Sequence, residues 1–197
     1  MKNYKLIISY DGTDFHGFQI QKDKKTVQGE FQKAFEIFTE KYELNYSGRT
    51  DAGVHAKGQV VNIKTDFDLN DKTINSLNKI LGPKIFINSF KKINYSFHAR
   101  YDAIERIYKY FVSDITQQYP YLSSHSYVYP KKLDIEKLNY LSQLFVGEHN
   151  FSAFSKHDVN KNPNRKIYKS KWIKKRDFFE YTTTGNSFLR NMVRNLV

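Results

Sequence analysis

What most constrains this chain is the order in which two hydrophobic periods follow one another. Over residues 4–10, Leu6, Ile8 and Tyr10 recur at every second position, the period of a strand with one buried face. Thr26 then stands where a helix cap belongs, and Val27, Phe31, Ala34, Phe35 and Phe38 make one apolar helical stripe. Leu44 and Tyr46 alternate as a second strand, and residues 59–63 read as a third. Leu69, Ile74, Leu77 and Leu81 mark a second helix, stopped by Gly82-Pro83, and Ile85-Phe86-Ile87 is a short strand.

After a loop or strand entry at residues 97–103, a similar order begins again. Ile104, Arg106, Tyr108 and Tyr110 share one strand face. A turn-rich stretch holds Tyr119-Pro120 and Tyr129-Pro130. Ile135, Leu138, Leu141, Leu144 and Phe145 form the inward stripe of a helix, and residues 147–157 read as a loop. Residues 165–175 and 178–184 pair as strands. Gly185-Asn186 opens a last helix with Phe188, Leu189, Met192, Val193 and Leu196 on one stripe. The sum is β-α-β-β-α-β followed by β-α-β-β-α. That is an α+β fold in two halves, residues 1–103 and 104–197.

The least periodic stretch is the one richest in chemistry. Ser47-Gly48-Arg49-Thr50-Asp51-Ala52-Gly53-Val54-His55-Ala56 lies between two strands. It sets one carboxylate, Asp51, between two glycines and two residues after an arginine. Glycine lets a tight loop take backbone angles that aim a side chain. The same residue types also make ordinary turns, so the loop alone does not decide.

Composition narrows the choice. No apolar run approaches the ~20 residues needed to cross a bilayer, and the first residues lead straight into a strand and show no signal-peptide h-region. There is no cysteine, which excludes disulfides, thiolate metal sites and cysteine nucleophiles. The net charge of +12 favours a polyanionic partner, above all nucleic acid. Only seven of the 32 cationic residues are arginines: Arg49, Arg100, Arg106, Arg165, Arg176, Arg190 and Arg194. Each is a candidate for a site that needs a planar, multi-donor guanidinium. The six histidines show no metal-ligand spacing, and neither a P-loop nor a G-x-S-x-G motif occurs. What remains is a looped carboxylate with arginines and tyrosines in a basic protein. A carboxylate serves as nucleophile or base, arginine grips carboxylate and phosphate, and tyrosine stacks on bases. Those parts suit chemistry on a nucleotide.

The loop closely resembles the signature of the tRNA pseudouridine synthase A family. The resemblance runs along nearly the whole chain, in order. Tyr10-Asp11-Gly12-Thr13 with Phe15-His16-Gly17-Phe18-Gln19 resembles the family's N-terminal motif. Phe97-His98-Ala99-Arg100 followed by Tyr108-Lys109-Tyr110 resembles its second. Gly147-Glu148-His149-Asn150-Phe151 with Phe154-Ser155, then Asn164-Arg165, resembles the next. Residues 185–197, from Gly185-Asn186-Ser187-Phe188 through Arg190-Asn191-Met192-Val193-Arg194, resemble its third active-site motif.

The resemblance implies an isomerase that turns uridine into pseudouridine at positions 38–40 of the tRNA anticodon arm, in the cytoplasm, with no cofactor and no metal. It implies a homodimer whose subunit has two ferredoxin-like halves sharing a mixed, mainly antiparallel sheet, with helices on one face. It makes Asp51 the nucleophile and Arg49 the residue that displaces the target base. Tyr108, rather than Tyr110, is the active-site tyrosine, and Arg194 pairs with the catalytic carboxylate, with Arg190 close by. Arg49, Arg100, Arg165, Arg190 and His55 bind substrate. The base must leave its stack, at a cost of a few kcal/mol. Asp51 then attacks the uracil ring or the ribose C1′, or assists glycal formation, and Tyr108 helps to move the C5 proton. Lysines in 22–25 and 166–175 would hold phosphates and make binding salt-dependent.

Family members continue past the Arg-Asn-Leu-Val segment, whereas this chain ends on the apolar Asn195-Leu196-Val197. The C-terminal half is therefore expected to be incomplete. The alternative reading is a truncated tRNA-binding relative impaired in catalysis.

Overall fold

The alternation that opens the chain becomes β1 (Lys2–Tyr10), with Tyr4, Leu6, Ile8 and Tyr10 buried on one side. The computed structural model describes residues 1–116, 119–120, 125–156 and 162–197. They fall into two units, Met1–Ala103 and Ile104–Val197.

In the first unit, Thr26 caps α1 (Val27–Glu36) by accepting a hydrogen bond from Gly29 N. Such a cap stabilises by about 1 kcal/mol. Val27, Phe31, Ala34 and Phe35 are its buried stripe. Asn70 caps α2 (Asp71–Leu81) in the same way through Thr73 N, and Ile74, Leu77 and Leu81 face inward. With β2 (Tyr42–Tyr46), β3 (Ala56–Thr65) and β4 (Ile85–Ile93), these elements form a sheet of order β2-β3-β1-β4, antiparallel throughout. Each helix thus links two parallel strands with a third strand between them, the split βαβ arrangement of a ferredoxin-like half. Apolar residues of β1, β3 and β4 and of both helices share one core.

In the second unit, β5 (Arg106–Asp114), β9 (Phe179–Gly185) and β8 (Asn164–Lys174) repeat the first-third-second order of β1, β3 and β2. Two short edge strands flank them. β6 (Tyr127–Tyr129) is parallel to β5, and β7 (Gly147–Asn150) is antiparallel to β8. The α+β class and the mixed, mainly antiparallel pairing agree with the sequence reading. The described strands form two sheets, one in each unit.

Three expectations change. Residues 147–150 are strand, not loop. Their polar side chains leave no apolar alternation to read, and they join the sheet through their backbone. His157, the end of that expected loop, lies outside the described residues. The last helix is shorter than its stripe: α4 covers only Met192–Leu196. Asn191, at φ +63°, is left-handed and cannot lie within a right-handed helix, so Phe188 and Leu189 precede α4 without being part of it, and the turn falls at Arg190 and Asn191. Finally, α3 (Ile135–Gln143) presents Leu141 and Leu144 to solvent rather than to the core. β7 pairs with β8 only as far as Ile167, and α3 serves the β8 backbone beyond it. Asn139 bonds both N and O of Trp172, and Ser142 and Gln143 donate to Ser170 O. The inward face of α3 is therefore partly polar. No described helix is long and apolar enough to cross a membrane.

Candidate active site

The Asp51 loop joins β2 to β3 and is fastened along its whole length. At its start, Ser47 N donates to Val60 O (2.9 Å) and Gln59 Nε2 donates to Gly48 O (2.5 Å). Thr50 is held from two sides, its hydroxyl 2.8 Å from the Tyr10 hydroxyl and its carbonyl accepting from Phe18 N at 3.0 Å. Val54 N donates back to Asp51 O (3.2 Å) across a turn whose third residue, Gly53, has φ +77°. Only glycine adopts that angle without strain, so the Asp-Ala-Gly turn is real. Gly53 N in turn donates to Phe15 O (3.2 Å). The Asp51 side chain stands exposed at the middle of this anchored loop.

The second wall is the segment after β1. Tyr10, Phe18 and Tyr46 form an aromatic layer, with centroids 6.1 and 4.8 Å apart for successive pairs. Gly12 and Gly17 are the close approaches. A Cβ on Gly12 would meet Val54 O at 2.1 Å, and one on Gly17 would meet Thr50 O at 2.7 Å. Gly17 also has φ +96°. Only glycine lets the two loops pack backbone to backbone.

An ionic cluster locks the segment. Lys84 lies 2.9 Å from Asp11 and 3.1 Å from Asp14. Thr13 donates to Asp11 through its hydroxyl (2.6 Å) and its backbone N (3.1 Å). The Thr13 hydroxyl and then Lys84 hold the Asp11 carboxyl well below the usual carboxylate range. His55 closes the loop. Its Nδ1 accepts from Gly12 N at 3.2 Å and lies 3.1 Å from Asp11 Oδ1, so the imidazole serves Gly12 as acceptor or, protonated, Asp11 as donor.

The structure therefore brings Asp51, Arg49 and His55 into one fixed loop, with Asp51 and Arg49 both exposed. Arg100 lies in the loop that follows β4. Its guanidinium is 5.7 Å from the Tyr101 ring centre, and its backbone N donates to His98 Nδ1 (3.2 Å).

The remaining candidates sit in the second unit. Tyr108, on β5, meets Phe188 edge to face at 5.0 Å, while Tyr110 packs on the unit's core. Phe188 reaches Tyr108 because Gly185 carries no Cβ, which would stand 3.3 Å from the Phe188 ring and 2.8 Å from Lys166 O. Arg106 donates to Asn186 O at 2.6 Å and ties β5 to the same turn. Arg190 and Arg194 are exposed on either side of left-handed Asn191, Arg194 within α4. Arg165 does not point freely outward. Its Nη1 donates to Asn162 O (2.7 Å) and Asn164 O (2.5 Å), and burial pushes its guanidinium pKa down. Among the described residues, no group of three His, Asp or Glu is placed to hold a metal ion.

Sequence reasoning places Asp11, Gly12 and Gly17 in the N-terminal motif but gives them no role of their own, and it does not single out Lys84. The glycines carry no local sign that another loop's backbone packs against them. Nothing in the sequence links Lys84 to Asp11, 73 positions away.

A family model described as tRNA pseudouridine synthase matches residues 6–102 and 141–197. The tRNA pseudouridine synthase A of Pseudothermotoga lettingae is 38% identical over 201 residues, covering 100% of this chain and 82% of its own. That of Borreliella afzelii is 39% identical over 203 residues, with the same coverage. That of Dictyoglomus thermophilum is 41% identical over 201 residues, again covering 100% and 82%.

Proposed function

Because this chain belongs to the tRNA pseudouridine synthase family, we propose that it isomerises uridine to pseudouridine at positions 38–40 of the tRNA anticodon stem-loop, with Asp51 as nucleophile on a flipped base. The anchored, exposed Asp51 loop is the observation that carries this reading. A carboxylate carried on a backbone fixed in advance loses less freedom when it meets the reacting atom. Arg49, two residues away, is the cation that takes the place of the target uracil and draws it from the stack.

In the reaction the C1′–N1 bond breaks, the uracil turns, and a C1′–C5 bond forms. N1 gains a proton and C5 loses one, so atoms and charge balance with no outside reactant. Tyr108 is the group proposed to move the C5 proton. Arg194 pairs with the Asp51 carboxylate. Arg165, Arg190 and His55 contact the tRNA with Arg100, and the +12 charge supplies the attraction. The same reading makes the protein a cytoplasmic homodimer, which sedimentation equilibrium tests by mass.

The test of the substrate is direct. tRNA incubated with the protein is treated with a carbodiimide that marks pseudouridine and is read by primer extension. Stops at positions 38, 39 or 40 support the proposal. Stops elsewhere assign a different target.

A further inference from the structure

Asn3 and Asn62 are buried side chains at strand positions whose pattern predicts exposure. Asn3 alternates with Tyr4 and Leu6 on β1, and Asn62 sits between buried Val61 and Ile63 on β3. Both therefore belong to the face opposite the helices. What covers them is the loop after β4. Asn62 Nδ2 donates to Asn3 Oδ1 (3.0 Å), and Asn62 Oδ1 accepts from Ala99 N (2.8 Å). Asn3 Nδ2 donates to Asn94 O (3.0 Å) and Phe97 O (2.9 Å), with Tyr95 O at 3.3 Å. Ala99 is the only buried residue of the segment 94–102, so polar bonds rather than apolar packing set where it lies. The next residue is Arg100, exposed.

We propose that the Asn3–Asn62 pair is a positioning device that fixes Arg100 against the tRNA backbone at a set distance from the Asp51 loop. Asn62 lies six residues along β3 from Ala56, where the Asp51 loop ends. At about 3.4 Å per residue, that is on the order of 20 Å. A cation so far along a stiff strand meets a phosphate of the tRNA rather than the reacting base. The pair thus acts on affinity and not on the chemical step. This rests on the reading of tRNA as substrate and of Arg100 as a contact to it.

The test compares Asn62→Ala, Arg100→Ala and the double variant, with Asn3→Ser as a milder break in the same clamp if Asn62→Ala does not fold. Each is assayed for tRNA affinity over a range of salt, for single-turnover rate at saturating tRNA, and for hydrogen exchange at the Ala99 amide. Loss of one phosphate contact weakens binding roughly fivefold at physiological salt and lowers the salt slope by about one. The clamp variants should show both effects, faster exchange at Ala99 and an unchanged saturated rate, with the double variant no weaker than Arg100→Ala. Unchanged affinity in Arg100→Ala would overturn the substrate role of Arg100, and the proposal with it. Normal affinity in a clamp variant whose Ala99 amide exchanges freely, beside a weakened Arg100→Ala, would overturn the clamp alone.

Discussion

The carbonyl oxygen of Thr50 stands 2.7 Å from the place a Cβ on Gly17 would occupy, so one loop is shaped by the absence of a side chain on the other. Gly17→Ala must push the Asp51 loop away, and it must also strain a backbone at φ +96°. A displacement near 1 Å in a catalytic group costs about 100-fold in rate. Gly17→Ala should therefore lose about that much in single-turnover rate at saturating tRNA. Gly53→Ala is the control, because its φ of +77° is strained but nothing lies within 4 Å of its Cβ. It should lose about 1 kcal/mol of stability and less activity.

Asp11 makes the site's stability depend on pH. Its folded carboxyl lies below its ordinary value, first through the Thr13 hydroxyl and then through Lys84. A lowered folded pKa gives stability that is complete above the unfolded value, near 4, and fades as pH falls toward the folded one. Asp11→Asn should be less stable than the wild type at pH 7, and urea unfolding should show the gap closing below about pH 4. A gap constant from pH 7 to pH 3 would contradict this.

Tyr108 and Tyr110 separate by what they touch. Tyr108 meets Phe188 of the Gly185 turn, and Tyr110 packs on the core. Tyr108→Phe should slow the single-turnover rate by about 100-fold or more, the usual worth of a proton-transfer group, without weakening tRNA binding. Tyr110→Phe should leave the rate within a few-fold.

Much of this was legible in the sequence. The alternation of Leu6, Ile8 and Tyr10, the cap at Thr26 and the apolar stripes of both helices mark most of the first unit, because its strands bury one face and its helices one stripe. The Asp51 loop stood out for its lack of period. What stayed hidden depends on contacts between distant residues. Leu141 and Leu144 read as core because their spacing is helical, yet Asn139 and Ser142 turn inward to serve the β8 backbone. Asn191 gave no sign of its left-handed backbone. Nothing local marks Asn3 and Asn62 as buried, because the loop that covers them comes from residues 94–99. The Lys84–Asp11 pair and the close approach at Gly17 have no local signal at all.

The central claim, that Asp51 performs the isomerisation, is tested most directly by tritium release from tRNA labelled at uridine C5. The wild-type chain should release tritium in step with pseudouridine formed, and Asp51→Asn should release none while binding the same tRNA with similar affinity. Release by Asp51→Asn within tenfold of the wild type, or a wild type that binds tRNA and releases none, would contradict the account.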